Sequence, residues 1–248
     1  MKKAFTLAEV LITLGIIGVV AALTLPSVVQ NYQKRSLEVA TQKFYSVMSQ
    51  AIKQYMADEG VDDLRQSSLI GYDDDSDEVI TAKNDEFFKK YLKAQICEDG
   101  CFADNYKTQT GETSYAIGKS ADHAIEGRYL LLDGMVVDVY DGLSNALFCN
   151  SIPGTVYVDV NGRKGPNKIG YDLWSMDVFY DGTIDESELI PDCRKNIDKC
   201  GVYGIYGNTP KDIRDNRFLD CNGRGMDSST HYGGCFGHFL ENGFKFDY

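Results

Sequence analysis

Positive charge is scarce in this chain of 248 residues: 25 Lys and Arg stand against 37 Asp and Glu, a formal net charge of -12. A surface of that sign repels phosphate backbones and argues against general nucleic-acid binding. Histidine is scarcer still, with three, and no metalloprotease His pair, phosphate loop, nucleophile elbow or Rossmann glycine pattern occurs. Nothing in that inventory asks for an enzyme. Long apolar runs are missing beyond the N-terminal segment, which argues against a polytopic membrane protein. With 43% hydrophobic and 25% charged residues the bulk of the chain reads as soluble and globular, enough for one elaborated domain or two small ones. Glycine (24) and tyrosine (16) are plentiful, which suits tight turns and half-buried sheet better than an all-helical body.

The one long apolar stretch lies at the start. Residues 5–33 carry a single formal charge, Glu9, behind Lys2 and Lys3. About 20 apolar residues cross the roughly 30 Å of bilayer hydrocarbon as a helix, so residues 5–26 are long enough to span. The two lysines hold the short leading segment cytoplasmic and the remainder faces outward. A cleaved secretory signal peptide is the rival reading, with Ala21-Ala22-Leu23 as a weak cleavage site. It leaves the carboxylate inside the apolar run unexplained, because a charge there is costly in hydrocarbon.

Two lysines and a small residue, then Phe5, Thr6, Leu7, Glu9 and an aliphatic run, resemble the type IV prepilin signal of pilins, type II secretion pseudopilins and competence pilins. The resemblance covers about thirty residues. It implies cleavage between Ala4 and Phe5 by a prepilin peptidase, N-methylation of Phe5, and retention of the apolar helix in the mature protein. The family usually has Gly before the scissile bond; Ala4 stands here, a substitution some members share. The resemblance further implies that Glu9 pairs with the Phe5 amino group of a neighbouring subunit and so registers each protomer in a filament. An intrachain contact between Glu9 and its own amino terminus is the alternative.

Beyond Pro26 the periodicity stays helical. Leu37, Ala40, Phe44, Val47, Met48, Ala51 and Tyr55 fall at three- and four-residue spacings, and Gly60 is a natural stop. The pattern predicts one helix over residues 5–58, roughly 75 to 80 Å long, with a kink or local melting at Pro26 and close helix approach at Gly15 and Gly18. A short helix is expected over 84–95, with Phe87, Phe88, Tyr91 and Leu92 inward. Strands are expected over 114–117, 128–132, 135–140, 156–160 and 174–180, with Asp133-Gly134 as a two-residue hairpin turn. Residues 235–241 read as a short helix, 242–243 as a turn and 244–248 as an aromatic segment sealing the head. The fold class is therefore α+β: a long N-terminal helix, half membrane-spanning and half amphipathic, on a small antiparallel sheet, which the pilin resemblance also implies. The organisation is a leader at 1–4, the helix at 5–58 and an exported head at 59–248, with the sheet over about 114–184 and a Cys- and Gly-rich region at 190–248.

Two acidic loops raise the question of calcium. Asp73-Asp74-Asp75-Ser76-Asp77-Glu78 reads as a solvated face. Asp159, Asn161 and Asp172 frame a loop that resembles the sheet loop in which several secretion pseudopilins hold calcium. EF-hand spacing is absent and Arg163, Lys164 and Lys168 oppose a cation, so turn formation is the better explanation; no cofactor is expected, with calcium held by Asp159, Asn161 and Asp172 as the alternative. Seven cysteines in an exported head point to disulfides. Spacing favours Cys97 with Cys101, Cys193 with Cys200, and Cys221 with Cys235, leaving Cys149 over. A zinc site from Cys221, His231, Cys235 and His238, and catalysis by Cys235 with His231, are the rivals.

What the resemblance implies functionally is a structural subunit of a type IV pilus or type II secretion filament. Its partners would be other pilin or pseudopilin subunits, the prepilin peptidase, membrane lipid, and an assembly ATPase with its inner-membrane platform, with no nucleic acid. It would sit as a single-pass protein of the cytoplasmic membrane with its head outside, then in a filament. A minor pilin or adhesin binding a surface, glycan or secreted protein is the second hypothesis. A membrane-tethered extracytoplasmic enzyme is the third.

Overall fold

The structure, a computed structural model, describes residues 6–69, 77–97, 100–111, 113–114, 125–140, 154–186, 210–222 and 234–248. Helix α1 (Leu7–Glu59) is continuous over 53 residues. Thr6 caps its start and Gly60, in the left-handed region at φ 70°, ends it. It runs unbroken through Pro26, so the local melting expected there does not occur. A proline removes only one backbone donor, and the neighbouring hydroxyls of Thr24 and Ser27 donate to the carbonyls of Val20 and Thr24.

The second half of α1 buries Leu37, Thr41, Phe44, Met48, Ala51, Ile52, Tyr55 and Met56. These positions follow the 3.6-residue period and form one stripe under the sheet. Val47, expected in that stripe, is 36% exposed. Helix α2 (Asp77–Leu92) begins seven residues before the expected position. The end of the acidic run, residues 77–78, forms its first turn, where the negative charge of Glu78 suits the helix dipole. Phe87 and Phe88 are buried, and Phe88 stacks on Tyr129 at 4.0 Å.

The sheet has strand order β1-β4-β5-β6-β7-β8, with every neighbour antiparallel. Its strands are β1 (Gln95–Ile96), β4 (Ile125–Leu130), β5 (Val136–Tyr140), β6 (Gly154–Asp159), β7 (Leu173–Val178) and β8 (Ile184–Glu186). Strands β2 (Tyr106–Lys107) and β3 (Thr113–Ser114) form a separate pair. The meander of β4 to β7 matches expectation; β1, β2 and β8 are too short to announce themselves. The β4–β5 turn is longer than the two residues expected. Leu131 N–H donates to the Met135 carbonyl at 2.9 Å and Gly134 takes a positive φ of 88°, which makes a three-residue connection. Val137, Val139, Val156, Val158, Trp174 and Met176 are all fully buried.

Among the described residues, two further helices close the head. Helix α3 (Pro210–Cys221), not foreseen, and helix α4 (Cys235–Glu241) are joined by a disulfide between Cys221 and Cys235. Glu186 at the end of β8 accepts from the Gly234 and Gly237 amides at 2.7 and 2.6 Å and so caps α4. Gly234 has φ 86°, and a Cβ there would lie 1.8 Å from the Arg217 carbonyl oxygen, so no other residue fits. The segment after α4 folds back onto α1: Glu38 accepts from Lys245 Nζ at 2.9 Å and from the Phe246 amide at 3.0 Å. Lys34 Nζ donates to the Tyr248 main-chain oxygen at 2.9 Å. The aromatic segment thus seals the head against the helix, as expected.

Truncating the stripe should separate the two halves of α1. Phe44→Ala is expected to destabilise the head by about 3 to 5 kcal/mol, whereas Val20→Ala, on the exposed half, should leave the thermal midpoint in place. Thermal denaturation of both variants in one detergent checks this; equal effects would contradict it.

Candidate functional site

The feature that sets this molecule apart is the first half of α1. It is long and apolar enough to cross a membrane, and none of that stretch is buried against the rest of the protein. Leu7 is 78% exposed and Leu23 76%. A Cβ placed at Gly15 or Gly18 would meet nothing within 4 Å, so both remain open to the approach of another helix.

Glu9, the lone charge of this half, is engaged within the chain. Its Oε2 accepts from the Thr6 amide at 2.8 Å and from the Thr6 hydroxyl at 2.7 Å, while Thr6 Oγ1 accepts from the Glu9 amide at 3.3 Å. This is a capping box, with the carboxylate at the positive end of the helix dipole. The contact is thus to Thr6; Ala4 and Phe5, the expected scissile pair and methylation site, lie outside the described residues. The sequence reading missed the role of Thr6, although Thr6-Leu7-Ala8-Glu9 carries the Ser/Thr-x-x-Glu signal ahead of an apolar run.

Of the expected disulfides, Cys97 with Cys101 and Cys221 with Cys235 are present. Cys193, Cys200 and Cys149 lie outside the described residues, as does His231. The pairing of Cys221 with Cys235 removes both from zinc ligation and Cys235 from nucleophilic catalysis. His238 lies 3.8 Å from Phe218, ring stacked on ring, and its Nε2 is 2.9 Å from Asp247. A cleft lined by Tyr55, Ser68, Phe87 and Tyr91 measures about 60 Å³, too small for a metabolite.

Asp159, Asn161 and Asp172 are brought together at the loop between β6 and β7, and both carboxylates are fully buried. Asp159 accepts from the Tyr106 hydroxyl at 2.5 Å and the Asn161 amide at 3.1 Å. Asp172 accepts from the Asn167 and Lys168 amides at 2.7 and 2.6 Å. Every carboxylate oxygen of the pair therefore already holds a protein donor, which makes the pair a staple for the loop. The buried Oδ1 atoms of Asn161 and Asn167 have no hydrogen-bond partner and are the one feature a cation would use. Among the described residues no group of three or more His, Cys, Asp or Glu is arranged to hold a metal. In the other acidic run, residues 73–76 lie outside the described residues and 77–78 belong to α2. Tyr106 is the partner that sequence reasoning did not find.

Comparison with known proteins adds one match: a family model described as a family of unknown function (DUF6613) covers residues 27–115. That is the stretch from just past Pro26 through α2 to the end of the β2–β3 pair. No curated protein and no solved structure matches the chain.

Burial pushes Asp159 up to about 7, with Asp172 adding to the rise, and pushes Asp172 itself up to about 6. The folded state therefore binds protons more tightly than the unfolded chain at these sites. Their contribution is fully present below about pH 4 and is lost as the pH rises through 6 to 7. The stability of Asp159→Asn relative to the parent should accordingly rise by on the order of 1 to 3 kcal/mol from pH 5 to 8. Denaturation across that range checks it, and a constant difference would contradict it. Repeating the series with calcium reports on the cation, since an ion between the two carboxylates would abolish the parent's loss of stability at high pH.

Proposed function

We propose that this chain is a filament subunit of the type IV pilin or type II secretion pseudopilin kind, stored in a membrane by the first half of α1 and polymerised through it. The observation that carries this reading is one unbroken helix in two media: its second half is the spine of the head, and its first half is exposed and apolar apart from Glu9. A soluble monomer does not expose so much contiguous apolar surface. Lipid covers it before assembly, and the helices of neighbouring subunits cover it afterwards.

In that reading Thr6 has a definite task. It neutralises the cost of Glu9 locally while the subunit waits in lipid, and the carboxylate exchanges this partner for the amino group of a neighbouring Phe5 on assembly. The exchange replaces hydrogen bonds from neutral groups with an ion pair and so adds to the packing of the apolar faces as a driving force. Cleavage before Phe5 and retention of the helix belong to the same proposal. The head, tied by disulfides, is the part free to vary with the task of the filament, and a minor subunit or adhesin is the second reading its size favours.

Glu9→Ala is expected to leave the protein in the membrane fraction, since it removes the only charge from the span, yet to lower its incorporation into sheared filaments by tenfold or more, about 1.4 kcal/mol or greater. Normal filament yield from that variant would sink the pairing role.

A further inference from the structure

We propose that the underside of the head, at Lys168 and Arg35, is a docking surface for the headgroups of an anionic phospholipid bilayer. It rests on the reading of α1 as a membrane-spanning helix. Twenty residues from Leu7 carry the helix about 30 Å, through the hydrocarbon to Ser27, and Lys34 and Arg35 follow about 10 Å later. The headgroup layer is roughly 5 to 7 Å deep on each side, so these side chains reach its outer edge. Tyr32, 74% exposed, falls in the layer where aromatic rings with a polar tip settle.

The fold brings a third cation to that height from far along the chain. Lys168, on the loop between β6 and β7, has its Nζ 4.6 Å from the centre of the Tyr171 ring, and Lys34 Nζ is 5.8 Å from the same ring. Two ammonium groups therefore gather at one aromatic ring. Lys34 also donates to the Tyr248 main-chain oxygen. Neighbouring acids are already engaged: Glu38 by Lys245 and the Phe246 amide, Asp247 by His238, and Asp172 by the Asn167 and Lys168 amides. Among the described residues no carboxylate pairs with Lys168 or Arg35. Partial burial and the neighbouring Lys34 lower the Lys168 pKa, a cost that an external anion would relieve.

Charge complementarity selects the occupant. A chain with a formal charge of -12 is repelled by an anionic leaflet as a whole. A basic underside beside the emerging helix gives one orientation in which the head can approach that leaflet, and lipid phosphate is the anion present at that height in the membrane-inserted subunit.

Amine acetylation of the full chain, in nanodiscs of phosphatidylglycerol or of phosphatidylcholine, tests this by mass spectrometry. Lys168 should react about five-fold more slowly in phosphatidylglycerol, while Lys53, exposed about 28 Å further along α1, should react equally in both. Equal Lys168 rates in discs that hold the inserted chain would overturn the proposal and leave the membrane reading standing. A chain that enters neither disc would overturn both.

Discussion

Thirteen large apolar side chains between Leu7 and Val29 face outward with no part of the protein against them. Burying each is worth about 1.5 to 3 kcal/mol, so together they represent roughly 20 to 40 kcal/mol of unrealised hydrophobic stabilisation. That exceeds the whole folding stability of an ordinary domain. Whatever covers this half of α1 therefore dominates where the molecule resides and what it joins. The hydrocarbon layer of a bilayer matches this stretch in length.

The rest of the fold serves to anchor a head to that rod. The stripe from Leu37 to Met56 fixes the sheet on one side of α1, and the residues after α4 return to grip the same helix at Lys34 and Glu38. The grip lies only a few turns beyond the apolar half. Force applied along α1 would thus pass into the head through side chains packed at both ends of its amphipathic half. Glu186 and the Cys221–Cys235 disulfide hold α3 and α4 over the far sheet edge, which leaves the short strand β1 at the opposite edge.

Much of this was legible in the residues. The helix boundaries near Thr6 and Gly60 followed from the apolar run, the amphipathic stripe and a glycine in the stop position. The β4 to β7 meander followed from alternating Val-rich runs and Asn-Gly or Asp-Gly turns. What escaped detection had weak local signals. Strand β8 is Ile184-Asp185-Glu186, two acids out of three, and becomes a strand only because Met176, Asp177 and Val178 pair with it. Helix α3 is polar along most of its length and is held by its disulfide and by Arg214 bonding Asp185 at 2.6 Å, contacts distant in sequence. Local melting at Pro26 did not follow, because a lone missing donor did not interrupt so long a helix. At the candidate site, the capping box was readable from spacing alone. The burial of Asp159 against Tyr106 was not, because it joins residues 53 positions apart, one at the end of β6 and one in the separate β2–β3 pair.

The central claim is that the apolar half of α1 stays with the mature protein. Intact-mass and N-terminal peptide analysis of the native protein, taken from its own membranes or filaments, tests it most directly. The account predicts a chain that begins at Phe5, carries an N-methyl group and retains every residue through Pro26. A soluble chain beginning beyond Leu25 would contradict it.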